Sequence, residues 1–253
     1  MTKVTFEYAY DDIDKKYVDA EDLIEKKIEE QDYHKDYLYC PSCRKARLLV
    51  NAGPKRKYIS AISKKDHDKN CPYLYAFVSK KEMKLYKKEK SPDEINNDLK
   101  SFIRMIIAFR NHDIQADKML IETTAKTVYD VKKGDTTVKK RIPQQKLNKN
   151  LAYNFDNDVE KYYYGIVSSN EPETKQGFTN YTIKVFDGVD SVDLFTISIN
   201  TDKSDLNLIN KLNRLINNEC EIAFFGKIIE NTAYKNKYYK NVYLYKDEYL
   251  VIN

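Results

Sequence analysis

Four potential metal ligands fall into two closely spaced pairs, and this pattern constrains the fold more than any other feature of the sequence. Cys40 and Cys43 form a C-x-x-C turn, and His67 and Cys71 form an H-x-x-x-C pair some two dozen residues later. Two such pairs are the usual way in which two chain segments supply four tetrahedral nitrogen and sulfur ligands to Zn²⁺. Because the set fills every coordination position and leaves none for water, it predicts a structural zinc site.

Other interpretations of the cysteines and histidines remain open. The paired residues can be ordinary reduced thiols beside a surface histidine, and His34 and His112 are further candidate ligands, although neither lies in a paired spacing. Cys220 stands alone before an apolar segment, so we expect a small buried hydrophobic side chain there.

The segment between the two ligand pairs predicts a β-hairpin. Residues 46–51 and 57–63 have the character of short strands on either side of the turn at 51–54, so the metal would close the hairpin. The order of an N-terminal strand, an acidic helix, Y-C-P-x-C, a hairpin and H-x-x-x-C over residues 1–75 loosely resembles the zinc-ribbon module of competence CoiA-like proteins. This resemblance implies a zinc-stapled ribbon at the N-terminus.

Positive charge is concentrated in one quarter of the chain. The net charge of +5 is unevenly distributed along the chain. Residues 1–36 contain 6 Lys and 12 acidic residues, residues 37–90 contain 15 basic and 4 acidic residues, and residues 91–253 contain 23 of each. Clustered Lys and Arg gain free energy by displacing counterions from a polyanion. The basic block therefore favours a nucleic-acid partner, although a solvated lysine-rich surface is the simpler alternative.

Composition disfavours several classes of enzyme and any membrane-spanning helix. The six glycines are isolated, so no glycine-rich phosphate-binding loop of the dinucleotide-binding, P-loop or protein-kinase type can be written. The longest apolar stretch, at 105–109, is too short to cross a membrane. The N-terminal sequence does not have the form of a secretory signal, so we expect a soluble, cytoplasmic protein with reduced cysteines.

The middle of the chain predicts a capped helix followed by a hairpin. Ser91 and Glu94 are placed as the two ends of a capping box, and apolar residues then recur at helical spacing. Strand-like sequence over 119–142 is broken at 133–135, which predicts a hairpin. We expect the polar run 141–146 to connect this part to the next domain.

The last hundred residues predict a small β-barrel. We expect strands at 161–168, 178–187, 192–199, 219–229 and 237–246, with one helix at 204–217. This order, with Gly165 in the first strand, resembles single-stranded-DNA-binding OB-fold domains such as those of replication protein A. The resemblance implies a five-stranded OB-like barrel, a fold that binds oligonucleotides.

The predicted class is α+β, with three parts. These are a zinc-binding region at 1–78 with an acidic helix, a helical and hairpin extension at 79–150, and an OB-fold domain at 158–253. In strand 178–187, alternation directs Tyr181, Ile183 and Val185 to the core and Thr182, Lys184 and Phe186 outwards.

Basic and aromatic side chains are the predicted nucleic-acid ligands, because aromatic rings stack on bases while cations follow phosphates. The residues assigned to phosphates are Arg44, Lys45, Arg47, Lys55, Arg56 and Lys57, and those assigned to the barrel surface are Lys184, Phe186, Tyr234, Lys235, Lys237, Tyr238 and Tyr239. The tyrosines can equally be edge-strand residues of a Tyr-rich protein.

The sequence therefore predicts a non-enzymatic nucleic-acid-binding protein that prefers single-stranded DNA. Structural Zn²⁺ is the expected cofactor, with no small-molecule cofactor and no membrane partner. An alternative is a protein-interaction or inhibitor module of a phage or mobile element that docks on an acidic protein. A metal-dependent nuclease is a third interpretation, for which Glu82-x-Lys84 is the nearest pattern, but a solvated helix face explains these residues more simply.

Overall fold

The structure is a computed structural model of the 253-residue chain. It describes residues 6–54, 56–111, 113, 115–149, 159–186, 190–200, 206–231, 239–244 and 249–253, with the backbone alone for 230–231 and 239–244.

The described residues form five α-helices and fifteen strands, which confirms the α+β class. The helices are α1 Ala20–Ile28, α2 Lys80–Glu89, α3 Pro92–Arg110, α4 Ala116–Lys126 and α5 Leu206–Asn213. The strands are β1 Tyr8–Asp11, β2 Lys16–Asp19, β3 Leu38–Tyr39, β4 Leu48–Ala52, β5 Lys57–Ala61, β6 Val128–Lys133, β7 Thr136–Arg141, β8 Gln144–Lys146, β9 Glu160–Ser169, β10 Glu173–Lys175, β11 Phe178–Phe186, β12 Ser191–Asn200, β13 Cys220–Asn231, β14 Tyr239–Leu244 and β15 Leu250–Ile252. None of the helices in the described part of the chain is both long and apolar enough to cross a membrane.

The chain divides into two compact units. Unit 1 comprises Met1–Val78 and Ile114–Arg141, and unit 2 comprises Ser79–Asp113 and Ile142–Asn253. The segment 79–150, expected as one extension, is divided between them, because α2 and α3 belong to unit 2 whereas α4 and the β6–β7 hairpin belong to unit 1.

Unit 1 is built from small antiparallel sheets around one apolar core. β1 lies between β2 and β3, and β4 pairs with β5 in the expected hairpin. Helix α1 begins at Asp19, whose carboxylate accepts a hydrogen bond from the amide of Glu21, and it buries Leu23 and Ile24. These side chains join a core that also contains Cys40 and Cys71.

Unit 2 contains the large sheet, and the five expected strands and the helix that follows the third of them are confirmed over the described residues. The strand order is β10-β11-β12-β14-β13-β9-β8, with β15 on β13 and a further pairing of β11 with β9. Helix α3 begins with the expected capping box, in which Ser91 and Glu94 each accept a hydrogen bond from the other's amide. Its buried residues include Ile95, Leu99 and Phe102.

Gly165 permits a close approach of two parallel strands in unit 2. β8 pairs in parallel with β9, and the amide of Leu147 donates to the carbonyl of Tyr164 at 2.7 Å. A Cβ atom at position 165 would lie 2.8 Å from both the Cβ and the carbonyl oxygen of Leu147. Only glycine fits this contact without displacement of a neighbour.

Two expectations for the middle segment are wrong. The first half of 119–142 is helix α4 rather than strand, because Leu120, Thr123 and Thr124 face the interior at helical spacing, and packing overrides the strand propensity of threonine. The run 141–146 is not a polar connection, since Arg141 is 2% exposed and residues 144–146 form β8. The hairpin around Gly134 is confirmed as β6–β7.

Candidate metal centre

The first ligand pair lies in a tight turn that leaves β3. The amide of Cys40 donates to the carbonyl of Ala46 at 2.8 Å, and the amide of Arg44 donates to the carbonyl of Cys40 at 2.9 Å. Arg44 takes a left-handed backbone conformation with φ of 51°, which lets the chain reverse direction immediately after Cys43. Both cysteine side chains are thereby carried on one short loop.

The second ligand pair lies between two short 3₁₀ helices. Ser63 caps the first of these helices, at Lys64–Asp66, and His67 follows it directly. The amide of Cys71 donates to the carbonyl of Asp68 at 2.8 Å, and the second 3₁₀ helix, Pro72–Leu74, begins at the next residue. Pro72 provides the fixed φ angle that suits this first helical position.

The β4–β5 hairpin connects the two pairs and brings them together. Its register runs from Leu48 opposite Ala61 to Ala52 opposite Lys57, so the chain returns to its starting point within 14 residues. Three side chains of the hairpin, those of Leu48, Val50 and Ile59, are buried in the core. Packing of this hairpin therefore holds the two loops at a fixed separation.

The four side chains, which we call the Cys3His cluster, meet with the spacing of a tetrahedral site. All four donor atoms lie within 4.8 Å of one another. The Sγ atoms of Cys40 and Cys71 are 3.7 Å apart, and Nδ1 of His67 lies 3.4 Å from Sγ of Cys43 and 3.3 Å from Sγ of Cys71. Tetrahedral Zn²⁺ with ordinary bond lengths would place sulfur atoms about 3.8 Å apart and sulfur and nitrogen about 3.6 Å apart.

Burial and charge make the Cys3His cluster suitable for a cation. Cys40, His67 and Cys71 are buried, and Cys43 is half-buried. Burial raises the pKa of Cys40, whereas its thiol, by hydrogen bonding, lowers the pKa of Cys43 to about 3 and that of Cys71 to about 6. Burial alone would lower the pKa of His67, but hydrogen bonds to Cys71 and Cys43 raise it. Thiolates this close together repel one another unless a cation lies between them.

The other candidate ligands have different environments. Nδ1 of His34 lies 2.9 Å from Oδ2 of Asp11, and together with Asp14 these residues form a second cluster of potential ligands in the described part of the chain. Asp14 is exposed and paired with Lys16 at 2.9 Å. Cys220 is 9% exposed, as expected of a small buried side chain. His112 lies outside the described residues.

Arg44, Lys45 and Arg47, which were assigned to phosphates, have partners within unit 1. The Arg44 guanidinium lies 4.1 Å from the centre of the Tyr10 ring, and its Nε and Nη2 donate to the Tyr17 hydroxyl. Lys45 and Arg47 form ion pairs with Asp68 at 2.6 Å and Asp36 at 3.0 Å, respectively. Arg56 and Lys57 are exposed, and Lys55 lies outside the described residues.

On the C-terminal side, the alternation expected in strand β11 is confirmed. Tyr181, Ile183 and Val185 are buried, and Phe186 is 58% exposed. Lys184 is half-buried, with its Nζ 3.3 Å from Oδ1 of Asp193. Tyr239 is the first residue of β14 and pairs with Asn231, whereas Tyr234, Lys235, Lys237 and Tyr238 lie outside the described residues.

Two residues were not identified from the sequence, one exposed and one buried. Phe178 is 45% exposed at the other end of β11, and it has the same parity along the strand as Phe186, so alternation alone could have identified it. Arg141 is buried against the ring of Tyr73, two residues beyond Cys71. Its contact partner is distant in sequence, and no local pattern signals it.

Comparison of the chain with protein-family models, with curated proteins and with solved structures finds no match.

Proposed function

We propose that the Cys3His cluster binds one structural Zn²⁺ and that the hairpin β4–β5 with its two flanking loops forms a zinc ribbon. The agreement between the donor separations in the structure and those of a tetrahedral zinc site carries this proposal. Three sulfur donors and one imidazole favour zinc over the hard cations, which prefer oxygen. Four protein ligands complete the coordination, so the role is structural. Because thiol ligands must stay reduced, we further propose a cytoplasmic location.

Removal of the metal should unfold unit 1. Zinc contributes about 10–16 kcal/mol to the folding of small zinc domains, which is comparable to the total stability of a domain. We expect a Cys40→Ser, Cys43→Ser double variant to lose both zinc and the cooperative unfolding transition of unit 1. Circular dichroism in the far and near ultraviolet monitors this transition. Cys220→Ser, which removes a thiol outside the cluster, should retain both. A double variant as stable as the wild type would refute the structural role.

We further propose that the C-terminal strands form a five-stranded barrel with OB topology. The pairings that support this proposal make a circuit, in which β9 pairs with β11, β11 with β12, β12 in parallel with β14, β14 with β13, and β13 with β9. An α-helix, α5, lies between β12 and β13, the third and fourth of these strands in chain order, as in OB-fold domains.

On this basis we propose that the protein binds single-stranded nucleic acid, preferentially DNA, on the outer face of β11. Phe178 and Phe186 lie on this face, and both are exposed. Exposed aromatic rings on a barrel surface are the groups on which successive bases stack. In unit 1, Arg56 and Lys57 are exposed at the end of the hairpin, and we propose them as separate phosphate contacts.

Fluorescence anisotropy with a labelled oligothymidine tests the binding proposal. We expect affinity to fall steeply with salt, and Phe186→Ala or Phe178→Ala to weaken binding by roughly 5- to 150-fold, which corresponds to about 1–3 kcal/mol for one stacked base. Tyr37→Ala removes an exposed aromatic ring of unit 1 and should leave affinity unchanged. Undetectable or salt-insensitive binding would refute the proposal.

A second candidate function, docking on an acidic protein, is favoured by one observation. The β4–β5 hairpin region exposes the apolar side chains of Leu49 and Ile62 together with Arg56 and Lys57. Apolar groups with neighbouring cations suit a protein interface. A pull-down after nuclease treatment distinguishes the two functions, because a protein partner survives the treatment and a nucleic-acid bridge does not.

A further inference from the structure

A stack of flat side chains leads from a ligand of the Cys3His cluster to a buried arginine in unit 1. The His67 ring is parallel to the Phe6 ring, with centroids 6.1 Å apart, and Phe6 stacks on Tyr73 at 4.4 Å. Cζ of Arg141 lies 4.5 Å from the centre of the Tyr73 ring and 4.8 Å from that of Phe77. The guanidinium is thus enclosed between two aromatic rings.

Arg141 is buried, and two of its three guanidinium nitrogens make no hydrogen bond with the described residues. Its residue exposure is 2%, and its Nε and Nη1 have no hydrogen-bond partner among the described residues. A buried charge with unpartnered donors is costly, and it is retained only where opposite charge lies nearby. The aromatic rings offset a part of this cost through cation–π attraction. The arrangement therefore calls for an anionic group close to the stack.

The metal-loaded Cys3His cluster would be such an anion. Zn²⁺ carries two positive charges, the three thiolates carry three negative charges, and the imidazole is neutral. The loaded cluster therefore has one net negative charge in a largely buried site. Burial lowers the pKa of Arg141, while electrostatic interactions with Tyr73, Cys71, Cys40 and Glu7 counteract that shift. Both charges are buried in unit 1, so neither is well screened by water.

We propose that the Arg141 guanidinium is the counter-charge of the zinc-loaded Cys3His cluster and that it raises the affinity of the cluster for Zn²⁺. This inference rests on the proposed zinc site. The Arg141 guanidinium acts on the cluster by electrostatic attraction and does not ligate the metal, so it is a charge-compensating residue. At an effective dielectric constant of about 20, attraction between two unit charges that are near each other but not in contact corresponds to an effect on the order of tenfold in affinity.

Competition with a chromophoric zinc chelator, on the full chain at neutral pH, measures this effect. Arg141→Met keeps a long side chain between the two rings but removes the charge, and it should weaken zinc binding about tenfold. Arg141→Lys keeps the charge, and it should remain within about threefold of the wild type. An equal loss in both variants would indicate a packing role and overturn the proposal, as would the absence of any loss in Arg141→Met.

A second background separates charge from packing independently. Cys43→His changes the donor set to two thiolates and two imidazoles, which gives a neutral site with Zn²⁺. In that background Arg141→Met should change affinity less than about twofold, because no net charge remains to compensate. A tenfold loss there would overturn the proposal. If Cys43→His binds no zinc, the difference in zinc affinity between Arg141→Lys and Arg141→Met is sufficient to test the proposal.

Glu7 is the other anion near Arg141, and it needs its own control. If Arg141 mainly neutralises Glu7, then Glu7→Gln should abolish the effect of Arg141→Met on zinc affinity, which would overturn the proposal. We expect the effect to persist. A wild-type chain that binds no zinc would refute the zinc site itself, whereas a chain that binds zinc with no dependence on charge at position 141 refutes only this inference.

Discussion

Replacement of Gly165 by alanine tests the packing of β8 against β9. The added Cβ would lie 2.8 Å from the Cβ and 2.8 Å from the carbonyl oxygen of Leu147, and 3.3 Å from its amide nitrogen. Two of these atoms belong to the backbone of Leu147, whose amide donates a hydrogen bond to the carbonyl of Tyr164. A shift of this backbone would therefore disrupt that hydrogen bond. Overpacking of this kind costs about 1–3 kcal/mol.

The assay is urea or thermal unfolding of the full chain. Each kcal/mol lost should lower the unfolding temperature by about 2–4 °C in a unit of this size. Gly53→Ala is the matched control, because its nearest contact would be the carbonyl oxygen of Arg56 at an ordinary 3.7 Å. The control should be neutral or stabilising by up to about 1 kcal/mol, because alanine restricts the unfolded chain. If Gly165→Ala is as stable as Gly53→Ala, the reasoning about β8 is wrong.

Three further predictions follow from local interactions. The hydrogen bond to Asp11 raises the pKa of His34, so this pair stabilises the fold fully below pH about 6.5, and the stabilisation is lost as pH rises through the raised pKa. The free energy of unfolding, measured across pH, should show this loss in the wild type and not in His34→Gln. Asp36→Asn frees the guanidinium of Arg47, so oligothymidine affinity should rise at low salt, and an unchanged affinity would exclude Arg47 from the interface. Ser91→Ala removes the cap of α3 and should cost about 0.5–2 kcal/mol in urea unfolding, whereas no loss would show that the capping box is dispensable.

Local patterns in the sequence were sufficient for much of the fold. The β4–β5 hairpin and the capping box of α3 follow from turn residues and caps that act within a few positions. Alternation along β11 correctly separates buried from exposed side chains, because one face of that strand is covered. The four residues of the Cys3His cluster are also brought together as their spacing predicts.

Features that depend on distant packing were not accessible in the same way. Helix α4 contains threonines that favour strands, and only burial of one helical face explains its conformation. Arg44 is basic and lies in the expected loop, yet its guanidinium packs over Tyr10, a residue more than thirty positions away. Arg141 likewise ends a strand of ordinary appearance, and its enclosure between Tyr73 and Phe77 depends on contacts across unit 1.

X-ray absorption at the zinc edge, on the purified and reduced protein, tests the central claim most directly. With one zinc ion per chain, we predict three sulfur ligands at about 2.3 Å and one nitrogen ligand at about 2.0–2.1 Å. Those ligands would correspond to Cys40, Cys43, Cys71 and His67. A folded protein that contains no metal, or a zinc ion bound mainly by oxygen, would contradict the account.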